Sequence, residues 1–295
     1  MKTIQPSNPW FLAIRPKTLP AAAAPVLLGG AMAWQAHGFD VLAVAAALAG
    51  ALFIQIGTNL ANDYFDFKKG ADTPERVGPV RVTQSGLIAP EAVRNAFILA
   101  FALAVAASLY LIVRGGWPIV IIGAASILAG IFYTATRFAF GYFGLGEIFV
   151  FIFFGPVAVA GTYYVQTLKY DPLAALAGVA PGLISTAVLS VNNQRDMDSD
   201  RKAGKRTLAV RFGTSFAKAE YMFCILGASF VPFIIFFLTG KHLFCLMAMS
   251  TALVAIPVMR TVFTKTDGPS LNNALASTGR LLLYDALVFS IGWLL

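Results

Sequence analysis

The sequence predicts an all-α membrane protein in which about nine transmembrane helices surround a central cavity, with the N-terminus in the cytoplasm. Of the 295 residues, 58% are hydrophobic and only 12% are charged, which is about half the charged fraction of a soluble domain. A disordered chain is also excluded, because such chains are poor in aromatic residues and this one has 25 Phe and 9 Tyr. Apolar runs of about 20 residues, the length that spans a bilayer as a helix, recur along the chain.

Nine apolar runs are predicted to cross the membrane, and together they form a single transmembrane domain over residues 1–295. The first run has the weakest signal because it contains Pro20, Pro25, Gly29 and Gly30, and the basic residues before it are typical of a signal peptide. No clear cleavage site follows, so we expect an uncleaved helix. The nine runs lie near residues 19–36, 41–61, 95–113, 117–136, 144–166, 172–193, 220–239, 242–260 and 278–295.

The distribution of basic residues predicts the orientation. If the N-terminus lies inside, 19 of the 22 Lys and Arg fall on the cytoplasmic side and 3 on the other, as expected for basic residues in membrane proteins. This topology explains the net charge of +8 without a nucleic-acid partner. We expect a multi-pass protein of the cell inner (cytoplasmic) membrane whose two long connections, 63–94 and 194–219, face the cytoplasm and carry the chemistry.

Seven of the 14 acidic residues lie in two short clusters, each where an apolar helix is predicted to end. Asn62 and Asp66 are four residues apart, so they share one helix face. The same spacing separates Asn192, Asp196 and Asp200. Spans 2 and 6 hold equivalent positions in two four-helix halves, which suggests an internal duplication. The clusters consist of Asp63, Asp66, Asp72 and Glu75 in the first loop, and of Asp196, Asp198 and Asp200 in the second.

Carboxylates at this density require a counter-ion, and oxygen ligands favour hard cations. Mg²⁺ usually takes one or two carboxylates and completes its shell with water and substrate phosphate. Two facing clusters therefore suggest two Mg²⁺ ions that clamp a diphosphate. Solvated loop charges are the alternative, but they do not explain the shared spacing. Basic residues suited to phosphate contact lie in the same loops: Lys68, Lys69, Arg76, Arg81, Arg195, Arg201, Lys202, Lys205 and Arg206.

Three blocks, at 8–20, 59–86 and 192–213, resemble the UbiA superfamily of intramembrane aromatic prenyltransferases. The blocks include Asn8-Pro-Trp-Phe-Leu-Ala-Ile-Arg-Pro-Lys-Thr-Leu-Pro, Asn59-Leu-Ala-Asn-Asp-Tyr-Phe-Asp-Phe-Lys-Lys-Gly-Ala-Asp and Asn192-Asn-Gln-Arg-Asp-Met-Asp-Ser-Asp. Their order and their place at the predicted cytoplasmic edge make the resemblance specific. Within the superfamily, the chain is similar to the branch that prenylates 1,4-dihydroxy-2-naphthoate in menaquinone synthesis.

The resemblance assigns roles to particular residues. The superfamily's first motif is Asn-Asp-x-x-Asp-x-x-x-Asp; in this chain Gly70 stands at the last carboxylate's place and Asp72 follows two residues later. The second motif, Asp-x-x-x-Asp, is complete, and a Tyr-x-x-x-Lys/Arg pair is also matched. The implied metal ligands are Asp63, Asp66, Asp72, Asp196 and Asp200. The implied catalytic residues are Asp66, Asp196, Asp200 and Tyr133, and the substrate-binding residues are Arg15, Asn62, Arg81, Arg137, Asn192, Lys205 and Arg206.

The reaction implied by the resemblance begins with a polyprenyl diphosphate whose tail dissolves in the membrane lipid. The C1–O bond breaks, and aromatic faces can stabilise the allylic cation. The naphthoate ring then attacks, and loss of CO₂ gives a demethylmenaquinol. Glu147 lies at the start of a span and is a candidate base, since an intramembrane carboxylate is costly and often functional; exposure at the interface is its alternative. Candidates for cation stabilisation are Tyr64, Phe65, Tyr133 and Phe149.

Two other functions agree with parts of the sequence. A related prenyltransferase could use another aromatic acceptor such as 4-hydroxybenzoate, and only the resemblance favours the naphthoate. A cation-coupled transporter agrees with nine spans and an internal repeat. Transporters, however, place ionisable residues near the middle of the membrane, whereas the acidic clusters of this chain lie at one edge.

Overall fold

The computed structural model describes residues 8–70, 77–135 and 139–295, and within these ranges it contains helices and no β-strand. The predicted all-α class is therefore confirmed. Three 3₁₀ segments, Pro16–Thr18, Phe140–Tyr142 and Leu243–Ser250, join the α-helices. The α-helices are α1 (Pro9–Ala13), α2 (Pro20–Gln35), α3 (Val41–Lys68), α4 (Pro90–Gly115), α5 (Trp117–Phe132), α6 (Gly146–Phe153), α7 (Pro156–Thr167), α8 (Pro172–Lys202), α9 (Leu208–Phe212), α10 (Thr214–Thr239), α11 (Thr251–Val254), α12 (Ile256–Thr264) and α13 (Gly268–Leu294).

Among the described residues, seven helical stretches are long and apolar enough to cross a membrane. They are α3, α4, α6 with α7, α8, α10, the stretch Leu243–Thr264, and α13. An eighth consists of Pro9–Thr18 and α2, which meet at a bend of 47°. The apolar helix α5 has 16 residues, which is short for a span. The chain is thus a polytopic membrane protein, while nine crossings and a cytoplasmic N-terminus stay predictions.

Two helices extend further than predicted. The runs at 41–61 and 172–193 end in the sequence where polar residues begin, yet α3 continues to Lys68 and α8 continues to Lys202. The described members of the acidic clusters therefore lie on the last helical turns of α3 and α8, while Asp72 and Glu75 lie outside the described residues. Hydropathy underestimates the length of these helices because their polar ends face other protein segments. Asp63, Asp66 and Asp196 are each only 2% exposed.

Helix α8 lies at the centre of the bundle. Two thirds of its most apolar stretch is buried, against 22% for α3 and 28% for α4. Its inner residues pack with α2, α7, α10 and α13 in the largest apolar cluster, which includes Leu28, Ile184, Tyr221, Leu282 and Phe289. A smaller cluster joins α3 to α4 and contains Leu60, Phe97 and Phe101. The acidic end of α8 thus belongs to the most buried long helix, and that of α3 packs through the smaller cluster.

Glycines allow the bend between α6 and α7 to lie directly on α8. A Cβ atom at Gly155 would come 2.6 Å from the Gly178 carbonyl oxygen, and one at Gly182 would come 2.6 Å from the Phe151 carbonyl oxygen. Real side chains do not tolerate such approaches to backbone, so these positions require glycine. The contact places α6 beside the polar end of α8.

Candidate active site

One cavity gathers side chains from both acidic clusters. It contains about 1190 Å³ of empty space, including its mouth. Its walls come from α3, α8 and the segments before α2, after α5 and after α8. The structure thus brings Asp66 of the first cluster and Asp196 and Asp200 of the second around one space. The predicted site residues that line it are Arg15, Asn62, Asp66, Arg81, Tyr133, Asn192, Asp196, Asp200 and Lys205.

Asp66 binds groups from three separate segments. Its Oδ2 atom accepts hydrogen bonds from Arg81 Nη2 at 3.1 Å and from Lys205 Nζ at 3.0 Å. Its Oδ1 atom accepts from the hydroxyl of Tyr142 at 2.9 Å. The ammonium nitrogens of Lys69 and Lys205 also lie 4.5 Å and 4.9 Å from the centre of the Tyr142 ring. The two predicted loops therefore meet at a single carboxylate.

Tyr142 is a site residue that the sequence analysis missed. It lines the cavity and lies on the 3₁₀ segment Phe140–Tyr142. Its carbonyl oxygen accepts from the backbone N–H of Arg206 at 2.9 Å, which fastens this segment to the loop after α8. Among nine tyrosines, no motif or spacing distinguishes it, so only its contact with Asp66 identifies it.

Asp196 is oriented by its neighbour Arg195. The Nε and Nη2 atoms of Arg195 donate to the two carboxylate oxygens at 2.8 Å and 2.7 Å. Nη2 also donates to Asn192 Oδ1 at 2.7 Å, and Nη1 donates to Asn272 Oδ1 at 2.7 Å. Arg195 was expected to be a loop cation for phosphate, but it is buried in α8 and holds two cavity-lining side chains in place.

Asp63 makes different contacts from the other acidic residues of its cluster. It does not line the cavity, and its two oxygens accept the backbone N–H groups of Val82 at 3.2 Å and Thr83 at 3.0 Å. Asp63 and Asp66 are three residues apart and so share one face of α3, yet the Asp63 carboxylate binds backbone amides while the Asp66 carboxylate binds side chains. The observed role of Asp63 is to fix the segment that brings Arg81 to Asp66, and its role as a metal ligand stays a prediction.

Glu147 reaches the cavity only through another residue. It is buried at the start of α6, and its Oε1 atom accepts from Asn193 Nδ2 at 2.8 Å. Asn193 lines the cavity and Glu147 does not. Tyr133, just after α5, lines the cavity, and its phenol can donate a hydrogen bond there.

Besides Asp63 and Glu147, one described residue of the predicted site, Arg206, does not line the cavity. Arg206 is exposed, and its backbone rather than its side chain contacts the site through Tyr142. Asp72 and Arg137 lie outside the described residues. Their predicted roles in metal and substrate binding are therefore untested by the geometry.

The oxygen atoms that line the cavity fit a Mg²⁺ site whose remaining ligands would come from a substrate. Carboxylate oxygens of Asp66, Asp196 and Asp200 and an amide of Asn192 line the same space, and these are hard oxygen ligands. Within the described ranges, no three His, Cys, Asp or Glu side chains are close enough to hold a metal by themselves. A trio is not required, since Mg²⁺ commonly uses one or two carboxylates together with phosphate oxygens.

A second cavity, which is apolar, adjoins the first. It contains about 1160 Å³ of empty space, including its mouth, and lies among α2, α3, α4, α5, α6 and α7. The two cavities share wall residues, among them Thr58, Tyr133 and Phe154. A charged space beside an apolar one fits an amphiphilic molecule with an anionic head and a hydrocarbon tail.

Comparison with known proteins identifies relatives along nearly the whole chain. The sequence profile of the UbiA prenyltransferase family matches residues 22–283. The chain is 37% identical to a 1,4-dihydroxy-2-naphthoate octaprenyltransferase of Escherichia coli K12 over 98% of this chain and 96% of the relative.

Two solved structures share the fold. A UbiA homolog from Aeropyrum pernix K1 superposes with a TM-score of 0.69 at 13% identity, over 92% of this chain and 96% of the homolog. A UbiA homolog from Archaeoglobus fulgidus bound to GPP and Mg²⁺ superposes with a TM-score of 0.64 at 14% identity, over 96% of this chain and all of the homolog.

Proposed function

Because the chain belongs to the UbiA prenyltransferase family, we propose that it transfers a polyprenyl group from polyprenyl diphosphate to 1,4-dihydroxy-2-naphthoate. Diphosphate and CO₂ are released, and the product is a demethylmenaquinol. The observation that carries this proposal is that a carboxylate-lined cavity adjoins an apolar one and shares wall residues with it, which matches the head and the tail of the donor. The name of the Escherichia coli relative supports the naphthoate as acceptor.

Asp66, Asp196 and Asp200 are the residues that would hold Mg²⁺, and Asp72 is a further predicted ligand. When bound, Mg²⁺ would neutralise the negative charge that develops on the diphosphate. The GPP and Mg²⁺ of the Archaeoglobus fulgidus homolog support this cofactor. Asp63 has its oxygens on backbone amides and is left out of this proposal.

Basic side chains bind the donor's head. Arg15, Arg81 and Lys205 line the cavity, and their charges favour the diphosphate while its bond to C1 breaks and the electron pair passes to oxygen. Asn62 and Asn192 supply amide groups on the same walls. Arg137 is proposed to join them from the segment after Tyr133. Arg206, whose side chain is exposed, would reach the site only if its segment moved inward.

Aromatic rings at the junction of the cavities stabilise the allylic cation. Tyr133 lines both spaces, and Phe149 lines the apolar one. Tyr64 and Phe65 pack instead on Phe97, with ring centres 5.8 Å away in each case, so they belong to the core. Among the four aromatic candidates, Tyr133 and Phe149 are therefore the ones we retain.

The acceptor ring attacks C1, and the electrons of the bond to its departing CO₂ restore aromaticity. Glu147 acts on this step through Asn193, which it orients by a hydrogen bond. We place the reaction at the cytoplasmic face of the cell inner membrane, where the predicted topology puts both acidic helix ends. The donor's tail reaches the apolar cavity from the membrane lipid.

An acceptor panel tests the proposal. Purified protein in detergent receives a polyprenyl diphosphate, Mg²⁺ and one acceptor at a time, and products are identified by liquid chromatography and mass spectrometry. We expect a decarboxylated prenyl product from 1,4-dihydroxy-2-naphthoate and little from 4-hydroxybenzoate. Equal or greater product from 4-hydroxybenzoate would overturn the acceptor assignment, and no product from any acceptor would overturn the whole proposal.

A further inference from the structure

The apolar cavity has a defined closed end. Leu111, Ile119 and Val165 line it there, and they are only 7%, 8% and 1% exposed. They pack in one cluster with Ala43, so three helices and the start of a fourth close the space. The other end of the cavity lies at Tyr133, beside the acidic residues. A tail whose head lies at the reaction site therefore extends toward this closed end.

A network of polar contacts joins the helices that form the closed end of the apolar cavity. Arg114 Nε donates to the Val165 carbonyl oxygen at 2.7 Å, and Arg114 Nη1 lies 3.1 Å from Asp40 Oδ2. The same Asp40 oxygen accepts from the Tyr110 hydroxyl at 2.8 Å, and the Asp40 backbone N–H donates to Gln166 Oε1 at 2.6 Å. These bonds join the ends of α4 and α7 to the start of α3, and they hold the apolar wall in position.

Gly123 lies in the wall between the two ends. It is ten residues before Tyr133 on α5, which is about 15 Å along a helix axis. A Cβ atom at Gly123 would meet no atom within 4 Å, and the residue lines the apolar cavity. Gly130, on the same helix, is different: a Cβ atom there would collide with Thr58 Oγ1. At Gly123, a Cβ atom would enter the empty space and displace no neighbour.

We propose that Gly123 determines which prenyl tail lengths the protein accepts, because the missing side chain leaves open the passage from Tyr133 to the closed end. This inference rests on the proposed prenyl transfer and specifies where the tail lies during it. A larger residue would narrow the passage about 15 Å from the reaction site, so it would obstruct a long tail and leave a short one undisturbed.

The test compares Gly123→Leu with Ala124→Leu. Ala124 is the next residue on α5, is exposed, and does not line the cavity, so it controls for added bulk in this helix. Each variant receives an equimolar mixture of geranyl diphosphate and a long polyprenyl diphosphate, and the ratio of the two products is measured. Mismatch in an apolar pocket changes specificity by roughly 10- to 200-fold.

We therefore expect Gly123→Leu to shift the product ratio toward the short tail by at least about tenfold, and Ala124→Leu to leave it within about twofold of the wild type. An unchanged ratio in Gly123→Leu would overturn the inference. So would an equal loss of both products, because a blocked tail passage spares the short donor.

Two further variants keep the test decisive if Gly123→Leu does not fold. Gly123→Ala and Gly123→Val fill the space in smaller steps, and the shift in product ratio is expected to increase with side-chain volume. A product ratio that stays constant from glycine to alanine to valine would contradict a tail passage at this position. Wild-type protein that prenylates no acceptor with either donor would count against the proposed function, whereas wild-type turnover with unaltered length preference in the Gly123 variants would count against this inference alone.

Discussion

The carboxylate of Asp66 holds together the segments that form the candidate active site. Arg81, Tyr142 and Lys205 all donate to it, although the last two are 76 and 139 residues away in the chain. The nearby Asp198 has no such position: its side chain is 85% exposed and lies 3.6 Å from Arg201. Acidic residues within the same motif region thus differ sharply in their surroundings.

Replacement of Asp66 or Asp196 by Asn is expected to lower turnover at least about 100-fold, the usual cost of a lost electrostatic contact in the transition state. Each variant keeps the size of the side chain and removes the charge. Asp198→Asn is the matched control and is expected to retain near-normal turnover. Steady-state rates at saturating Mg²⁺ check this; loss of activity in Asp198→Asn, or its retention in Asp66→Asn, would refute the assignment.

Tyr142→Phe is expected to lower kcat/KM for the donor about tenfold, because a hydrogen bond to a charged group contributes roughly 1.5–3 kcal/mol. This substitution keeps the aromatic ring beside Lys69 and Lys205 and removes only the hydroxyl that donates to Asp66. Tyr142→Leu removes both the ring and the hydroxyl and serves as the comparison. If Tyr142→Phe behaved as wild type while Tyr142→Leu lost activity, the ring rather than the hydroxyl would be the important group.

Asp63→Ala is expected to destabilise the protein by about 1–3 kcal/mol, the cost of leaving buried N–H groups unsatisfied. The affected groups are the amides of Val82 and Thr83. Thermal unfolding in detergent measures the effect, and Asp63→Asn, which keeps one acceptor oxygen, is expected to lie in between. A variant of normal Tm that needs much more Mg²⁺ would instead establish Asp63 as a metal ligand.

The α6–α7 bend and α8 touch backbone to backbone, with glycines on both sides of the contact. Gly178→Ala would place a Cβ atom 2.7 Å from Pro156 Cα, so the backbones must separate and the Tm is expected to fall. Gly161→Ala, within α7, meets only Ile122 Cδ1 at 3.5 Å. That control is expected to keep or raise the Tm, since alanine favours a helix by roughly 1 kcal/mol over glycine. Similar Tm values for both variants would contradict the close contact.

Helices α3 and α8 also show why element ends were predicted less well than element centres. The apolar parts of both helices follow from hydropathy, which depends on each residue by itself. Their last turns carry Asn and Asp, which are poor helix formers in isolation. These turns are helical because the side chains meet partners from other segments, such as Arg81 and Tyr142 on Asp66.

The orientation of the whole molecule in the membrane can be tested with two introduced cysteines. Lys169→Cys is expected to react from outside intact cells with a membrane-impermeant maleimide, and Arg201→Cys only after the membrane is opened. Both positions are exposed, and the native Cys224 and Cys245 are buried, so background labelling is low. The reverse pattern would place the acidic helix ends on the outer side.

The sequence by itself determined the class of the protein, the approximate positions of its long helices and the two acidic motifs. These properties follow from local composition and spacing, which lipid and helix geometry constrain directly. Tertiary structure was needed to separate Asp66, which lines the cavity, from Asp63, which binds backbone. It was also needed to find Tyr142, to place Glu147 behind Asn193 and to reveal the open space at Gly123. Those assignments depend on which segments pack against each other, and contacts between residues far apart in the chain leave no local pattern.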